Sequence, residues 1–214
     1  YHTMTTETRN SKSEPAASYC VLRNFLDAGT HAQLIEWTIR NEDKFEPTVI
    51  GGKTRDDGGT HDPTWRRSVG VRNFGSVQAL LRERILSSVP ELIGKLRVMP
   101  FTPSDVEIEL VASNDGAFYK PHLDTFLGRE RREADRLVSA IYYFHSEPKA
   151  FAGGALRLHP FAVPGTQKRH IDIEPEQNTL VAFPSWELHE VLPVSCPSRR
   201  FSASRFSVNL WILR

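Results

Sequence analysis

The sequence is short of cysteine: only Cys20 and Cys196 occur in 214 residues. Two thiols so far apart make neither a disulfide framework nor a zinc-ligand spacing, and a reducing compartment is the natural reading. Charge of one sign is lacking too, since 27 Lys and Arg face 26 Asp and Glu for a net charge of +1. That balance gives no global pull toward nucleic acid or a membrane surface, so any basic region must be local. Long apolar runs are also missing. Nothing approaches the length of about 18 residues that a spanning helix needs, and the first residues lack the apolar stretch of a secretory signal. These absences predict a soluble, cytoplasmic protein with no nucleic-acid or membrane partner. What is present is ordinary for a globular chain, 39% hydrophobic and 25% charged, and the length suits one domain with a full core.

Residues 1–17 are polar and poor in aliphatic side chains, so the expectation is a disordered tail. Tyr1-His-Thr ahead of Met4 reads as a cloning remnant, and His2 is not counted as a ligand. Residues 18–214 are expected to form a single domain, with helical support over 18–104 and a β core over 105–214. Ala32, Leu34, Ile35, Trp37 and Ile39 recur at threes and fours, which predicts an amphipathic helix with Thr30 as its N-cap. Residues 46–67, rich in Gly, Pro and Asp, form a long polar loop, which reads equally well as a substrate loop or a simple excursion. Residues 75–97 predict a second helical region that Pro90 breaks or restarts.

From residue 105 the pattern switches to period two. Val106, Ile108, Leu110 and Ala112 alternate with Glu107, Glu109, Val111 and Ser113. Seven further strand candidates follow, separated by Gly, Pro, Asn or charged turns, and an all-β barrel or sandwich is the economical architecture. The last candidate is the most informative. Arg205, Ser207, Asn209 and Trp211 share one face of it; Phe206, Val208, Leu210 and Ile212 share the other. A polar inner face and an apolar outer face describe a barrel that holds a ligand and lies under helices.

His122 and Asp124 are two apart, so on an extended chain both side chains leave one face. With His189 from a distant strand they would give two imidazoles and one carboxylate, a set that suits non-haem Fe(II) with positions left open. Alone, such a pair is a weak signal, because the chain has eight His.

Order and context strengthen it. His122-Leu-Asp124, Gly153-Gly-Ala-Leu-Arg157, His189-Glu-Val-Leu-Pro-Val194 and Arg205-Phe-Ser-Val-Asn-Leu-Trp211 occur in sequence. This run resembles the Fe(II)/2-oxoglutarate dioxygenases, and within them the prolyl-4-hydroxylase-like branch. Leu137-Val-Ser-Ala-Ile-Tyr-Tyr143 is similar to that family's strand after the first ligands, and the likeness runs from about residue 105 to the C-terminus.

The resemblance implies a double-stranded β-helix (jelly-roll, cupin-like) with N-terminal helices packed on one sheet. It makes His122, Asp124 and His189 the iron ligands and catalytic residues, and Arg205 the anchor of the distal carboxylate of 2-oxoglutarate. A guanidinium meets a carboxylate with two parallel hydrogen bonds, which lysine cannot do. Ser207 on the same face and Tyr143 are further cosubstrate positions. Arg199 and Arg200 compete for the anchor role but read better as a solvated turn, and His145 and His159 match no ligand position. A carboxylate at 124 argues for hydroxylation, since related halogenases carry a small residue there.

The implied reaction uses Fe(II), 2-oxoglutarate and O2, with ascorbate sparing the iron, to hydroxylate an unactivated C–H bond and release succinate and CO2. The substrate would be a prolyl residue in a peptide or a proline-like or other amino-acid-derived small molecule. The rival readings are an oxygenase of small-molecule natural-product biosynthesis, a redox-neutral cupin and a non-catalytic cupin-like binding protein. Residues 129–133, Arg-Glu-Arg-Arg-Glu, are a solvated loop or a charged lid over the cavity.

Overall fold

The computed structural model describes residues 18–51, 58–125, 135–160 and 170–214. The expected tail 1–17 and the charged segment 129–133 lie outside them. The first part of the chain contains strand β1 (Cys20–Arg23), helix α1 (Ala28–Arg40), strands β2 (Glu46–Pro47), β3 (Arg66–Arg67) and β4 (Val69–Val71), and helix α2 (Ser76–Leu96). Strands β5 (Asp105–Ser113), β6 (Phe118–His122), β7 (Arg136–Phe144), β8 (Ala152–Gly153) and β9 (Leu156–His159) come next. Then follow β10 (Ile171–Ile173), β11 (Thr179–Pro184), β12 (Leu188–Val191), β13 (Val194–Ser195) and β14 (Arg205–Leu213).

A seven-stranded sheet runs β1-β11-β7-β14-β5-β4-β2, and a five-stranded sheet runs β10-β9-β12-β6-β3. A small pair, β13-β8, lies beside them. The paired strands are antiparallel, with β14 at the centre of the large sheet in register with β5 along its whole length. This is the predominantly β, two-sheet architecture that the alternating pattern predicts and the jelly-roll that the resemblance implies.

Period two sorts the two faces of the large sheet. Val138, Ala140, Tyr142 and Phe144 of β7 point outward with Phe206, Val208, Leu210 and Ile212 of β14. There they pack under Leu34 of α1 and Leu81, Ile85 and Leu92 of α2, all fully buried. Burying one such side chain contributes about 1.5–3 kcal/mol, so this layer carries much of the stability. The opposite face carries Ile141 and Tyr143 of β7 and Val181 and Phe183 of β11. They meet Leu156 and Leu158 of β9, which closes the space between the two sheets.

Three local expectations change. Helix α1 begins three residues earlier than expected, because Asp27 rather than Thr30 is the N-cap. The Asp27 side chain accepts from the Thr30 amide at 3.0 Å and from its hydroxyl at 2.6 Å. Pro90 does not end the second helix. It sits exposed inside α2, opposite the exposed Leu86 whose carbonyl loses its partner, so water can replace the missing hydrogen bond. The 46–67 region is not plain loop either: β2, an Ile50–Thr60 bridge and β3 are built from it, while 52–57 lie outside the described residues.

Candidate active site

Strands β6 and β12 pair so that His122 and His189 are direct cross-strand partners. Their rings lie 4.2 Å apart between centroids. Asp124, just past the end of β6, turns back toward them, its amide donating to the Ser185 carbonyl at 3.0 Å. Ligating atoms of His122, Asp124 and His189 all fall within 4.8 Å of one another. Among the described residues this is the cluster of three or more His, Cys, Asp or Glu side chains able to hold a metal ion.

The hydrogen bonds around the trio set its chemistry. His122 Nδ1 lies 2.8 Å from the Lys120 carbonyl, and His189 Nδ1 lies 2.8 Å from the Glu187 carbonyl. A carbonyl only accepts, so each Nδ1 carries the proton and each Nε2 keeps its lone pair. Those Nε2 atoms face the carboxylate, at 3.7 Å for His122 and 3.5 Å for His189. Burial, then the neighbouring His189, pushes the His122 pKa down to about 3, which keeps the imidazole neutral and ready to ligate. Burial alone would raise the Asp124 pKa. The two histidines and the Ser139 hydroxyl, which donates to Oδ2 at 2.7 Å, outweigh it and hold the carboxyl below its usual range. Ser139 in turn touches the Ser185 hydroxyl at 3.0 Å, so the carboxylate is oriented by β7 and by the turn just after β11. Phe183 closes the far side of His189 with an edge contact at 4.7 Å.

Beside the trio is a pocket lined by Arg205, Ser207, Asn209, Ile141, Tyr119 and Arg66, among others. Tyr119 belongs to both, since its ring stacks on His122 at 3.5 Å. Arg205 is 2% exposed, and its Nε and Nη2 have no hydrogen-bond partner. Its guanidinium lies 4.9 Å over the Tyr143 ring, and the Tyr143 hydroxyl is likewise buried without a partner. Burial lowers the Arg205 pKa from its ordinary value and raises that of Tyr143, although the arginine charge opposes the latter. Leaving buried polar atoms unpaired is costly, so unpaired donors facing a pocket point to an anionic guest. Ser207 is the cross-strand partner of Tyr143 and shares the inner face with Arg205, as the alternation on β14 predicts.

The other candidates separate cleanly. Arg199 is exposed and pairs with Asp115 at 3.3 Å, and Arg200 is exposed beside it, which is the solvated turn expected of them. His145 contacts the Ser146 carbonyl and His159 contacts Glu190 at 2.9 Å, neither being in the trio. Three contributors were not legible in advance: Ser139, Tyr119 and Arg66. Ser139 shows only as an inward position of β7, and Arg66 lies in the stretch that reads as loop. A fourth, Gly154, appears in the sequence as part of a motif without a role. Its φ of +72° and the 2.6 Å that would separate a Cβ from Arg205 Cδ show why glycine stands there.

The chemistry of the donor set fits iron, with neutral imidazoles, an ionised carboxylate and no thiolate in the trio. The unpaired guanidinium in the adjoining pocket fits a dicarboxylate.

Comparison with known proteins agrees. The 2OG-Fe(II) oxygenase superfamily is matched over residues 108–213. An uncharacterised PKHD-type hydroxylase of Synechocystis is 37% identical over 201 residues, covering 91% of this chain. The chain spans 63% of that relative's length. A Pseudomonas putida prolyl-4-hydroxylase superposes with a TM-score of 0.61 at 25% identity, covering 92% of this chain and 94% of the other. A Trichoplax adhaerens prolyl hydroxylase, solved with a hypoxia-inducible-factor peptide, gives 0.64 at 19% identity over 91% and 83% of the two chains, a likeness of fold. Among the described residues no helix is long and apolar enough to cross a membrane. With its two-sheet fold, its His-Asp-His trio and its match over the β core, the chain is similar to the 2OG-Fe(II) oxygenase superfamily, and among solved structures to prolyl-4-hydroxylases.

Proposed function

We propose that this chain is a 2-oxoglutarate-dependent dioxygenase that hydroxylates an unactivated C–H bond of a prolyl residue or a proline-like substrate. The observation that carries the reading is Arg205: a buried guanidinium with two unpaired nitrogens in a pocket that adjoins a His-Asp-His cluster. Neither a redox-neutral cupin nor a plain binding barrel needs that inward charge. Iron would be held by His122, Asp124 and His189, and 2-oxoglutarate by Arg205, with Ser207 and Tyr143 as further donors. Bound together, iron and 2-oxoglutarate supply an oxidation in which the cosubstrate becomes succinate and CO2 while one oxygen atom of O2 enters the substrate's C–H bond.

The protein's own part is positioning and shielding. Backbone carbonyls of Lys120 and Glu187 lock both imidazoles as Nε2 ligands. Ser139 keeps Asp124 ionised and turned toward them. Phe183, Ile141 and Val181 keep water from the inner wall. Two Arg205 nitrogens lack hydrogen-bond partners that an arriving carboxylate would supply, so selection of the cosubstrate is built into the fold. The prolyl part of the proposal is supported by the names of the relatives, a PKHD-type hydroxylase and two prolyl hydroxylases. Residues 18–214 would act as one catalytic unit, with ascorbate sparing the iron.

The test is anaerobic titration of the protein with Fe(II) and 2-oxoglutarate, following the weak visible absorption that the two give together, then succinate release on admitting O2. Absorption that is lost in Arg205→Ala, and succinate that rises with prolyl peptides over free amino acids, is the expected result. Iron binding without that absorption sinks the reading in favour of a redox-neutral metal protein.

A further inference from the structure

Arg66 is 6% exposed and comes from β3, a two-residue strand at the edge of the smaller sheet. Its Nη2 donates to Glu109 Oε2 at 2.8 Å and its Nη1 to the Val49 carbonyl at 3.1 Å. The other Glu109 oxygen takes a hydrogen bond from Arg72 at 3.3 Å. Glu109 belongs to β5 of the large sheet and is 4% exposed. The pair therefore ties an edge of one sheet to the middle of the other, in a space that an apolar pair could have filled.

Buried ion pairs are poor stabilisers, because desolvation offsets most of the attraction, and their best-attested use is to fix geometry. Here the geometry continues. The Arg66 guanidinium lies 5.0 Å over one face of the Tyr119 ring, within range of a cation–π contact. Tyr119 stacks on His122, with 3.5 Å between centroids and 20° between planes. The Lys120 carbonyl fixes His122 by Nδ1 but leaves the ring free to pivot about that bond. The stacked tyrosine removes that freedom, and Arg66 holds the tyrosine.

We propose that Arg66, anchored by Glu109, is a positioning residue for the metal centre, acting through Tyr119 to set the plane of the His122 imidazole. This rests on His122 being a metal ligand. It also gives the polar 46–67 region a definite task, since β3 is what carries the guanidinium across.

The experiment measures Co(II) affinity of the purified protein by its visible absorption, without turnover. Two references come first: wild type must bind, and His122→Ala must lose binding; if either fails, the metal-site reading itself falls. Two comparisons then follow. Arg66→Met combined with Glu109→Met removes both charges together, so neither is left buried alone. This variant should fold, as judged by circular dichroism, yet bind Co(II) on the order of 10- to 100-fold more weakly, the range for lost outer-shell support. Tyr119→Leu should show a similar loss and an altered Co(II) spectrum, while Tyr119→Phe, which keeps the ring, should restore both. A folded double variant within twofold of wild type overturns the proposal. Should the double variant not fold, equal affinities for Tyr119→Leu and Tyr119→Phe overturn it instead.

Discussion

Replacing Arg205 by methionine should make the ligand-free protein more stable while sharply reducing its response to 2-oxoglutarate. Arg205 is a cation at 2% exposure with two nitrogens unpaired. Methionine fills a similar volume and carries no charge to desolvate. Replacing buried charge with well-packed apolar atoms has gained about 1–4 kcal/mol elsewhere. At about 2–4 °C per kcal/mol for a chain of this size, the unliganded Tm should rise by about 2–16 °C. The liganded protein should behave oppositely. Cosubstrate at a hundred times its Kd stabilises the wild type by about 2.7 kcal/mol, a rise of about 5–10 °C. Losing a desolvated charge pair costs about 2–5 kcal/mol of binding, roughly 30- to several-thousand-fold in Kd, so the variant's shift at the same concentration should fall to about a third of the wild-type shift or less. Thermal unfolding under anaerobic Fe(II), with and without 2-oxoglutarate, reads both quantities in one series. A variant that is less stable when empty and shifts with 2-oxoglutarate as far as wild type would refute the assignment, because Arg205 would then be structural.

Gly154→Ala should weaken 2-oxoglutarate by at least about tenfold while sparing iron, since a Cβ would sit 2.6 Å from Arg205 Cδ on a backbone at φ +72°; equal Kd values by calorimetry would show that the contact does not matter. Ser139→Ala removes the 2.7 Å hydrogen bond to Asp124 and should lower metal affinity by about 10- to 100-fold, checked by competition with a chelating dye. Burial, followed by the nearby His145, lowers the His31 pKa in the folded state, so the unfolded chain binds the extra proton first as pH falls. That stability is complete above about pH 6.5, the unfolded value, and is lost below it; unfolding by urea from pH 7.5 to 5 should show a shallower loss in His31→Gln than in wild type.

Much of this site is legible because β-strands are periodic. The alternation on β14 places Arg205, Ser207 and Asn209 inside and Phe206, Val208 and Leu210 under the helices. The H-x-D spacing works in the same way, and it needs only the cross-strand partner His189 to become a cluster. Arg66 fails the same test for a physical reason. Its strand is two residues long, too short to show a period, and its neighbours Asp62, Pro63 and Thr64 are turn formers. Its partner Glu109 sits inward on a strand whose alternation is visible, yet nothing in the sequence says that a cation faces it. Pairing between distant elements leaves no local signature.

That limit bears on how the two parts of the chain are understood. The β core of residues 105–214 supplies both imidazoles, the carboxylate and Arg205, and read alone it would make the earlier residues a cover for an apolar face. Helices α1 and α2 are such a cover, packed on the outward side chains of β7 and β14. Strands β3 and β4 are different. They widen the two sheets, β4 beside β5 and β3 beside β6, and β3 sends Arg66 inward to Glu109 and Tyr119. A truncation that kept only the matched residues 108–213 would leave Glu109 buried without Arg66 and Arg72, and Tyr119 without a fixed neighbour on its outer face. Uncompensated buried carboxylates cost several kcal/mol, a large part of the 5–15 kcal/mol that stabilises a domain. The region that matches the family therefore depends on the earlier residues for the partners of Glu109 and Tyr119, and the proposed metal centre draws on both parts of the chain.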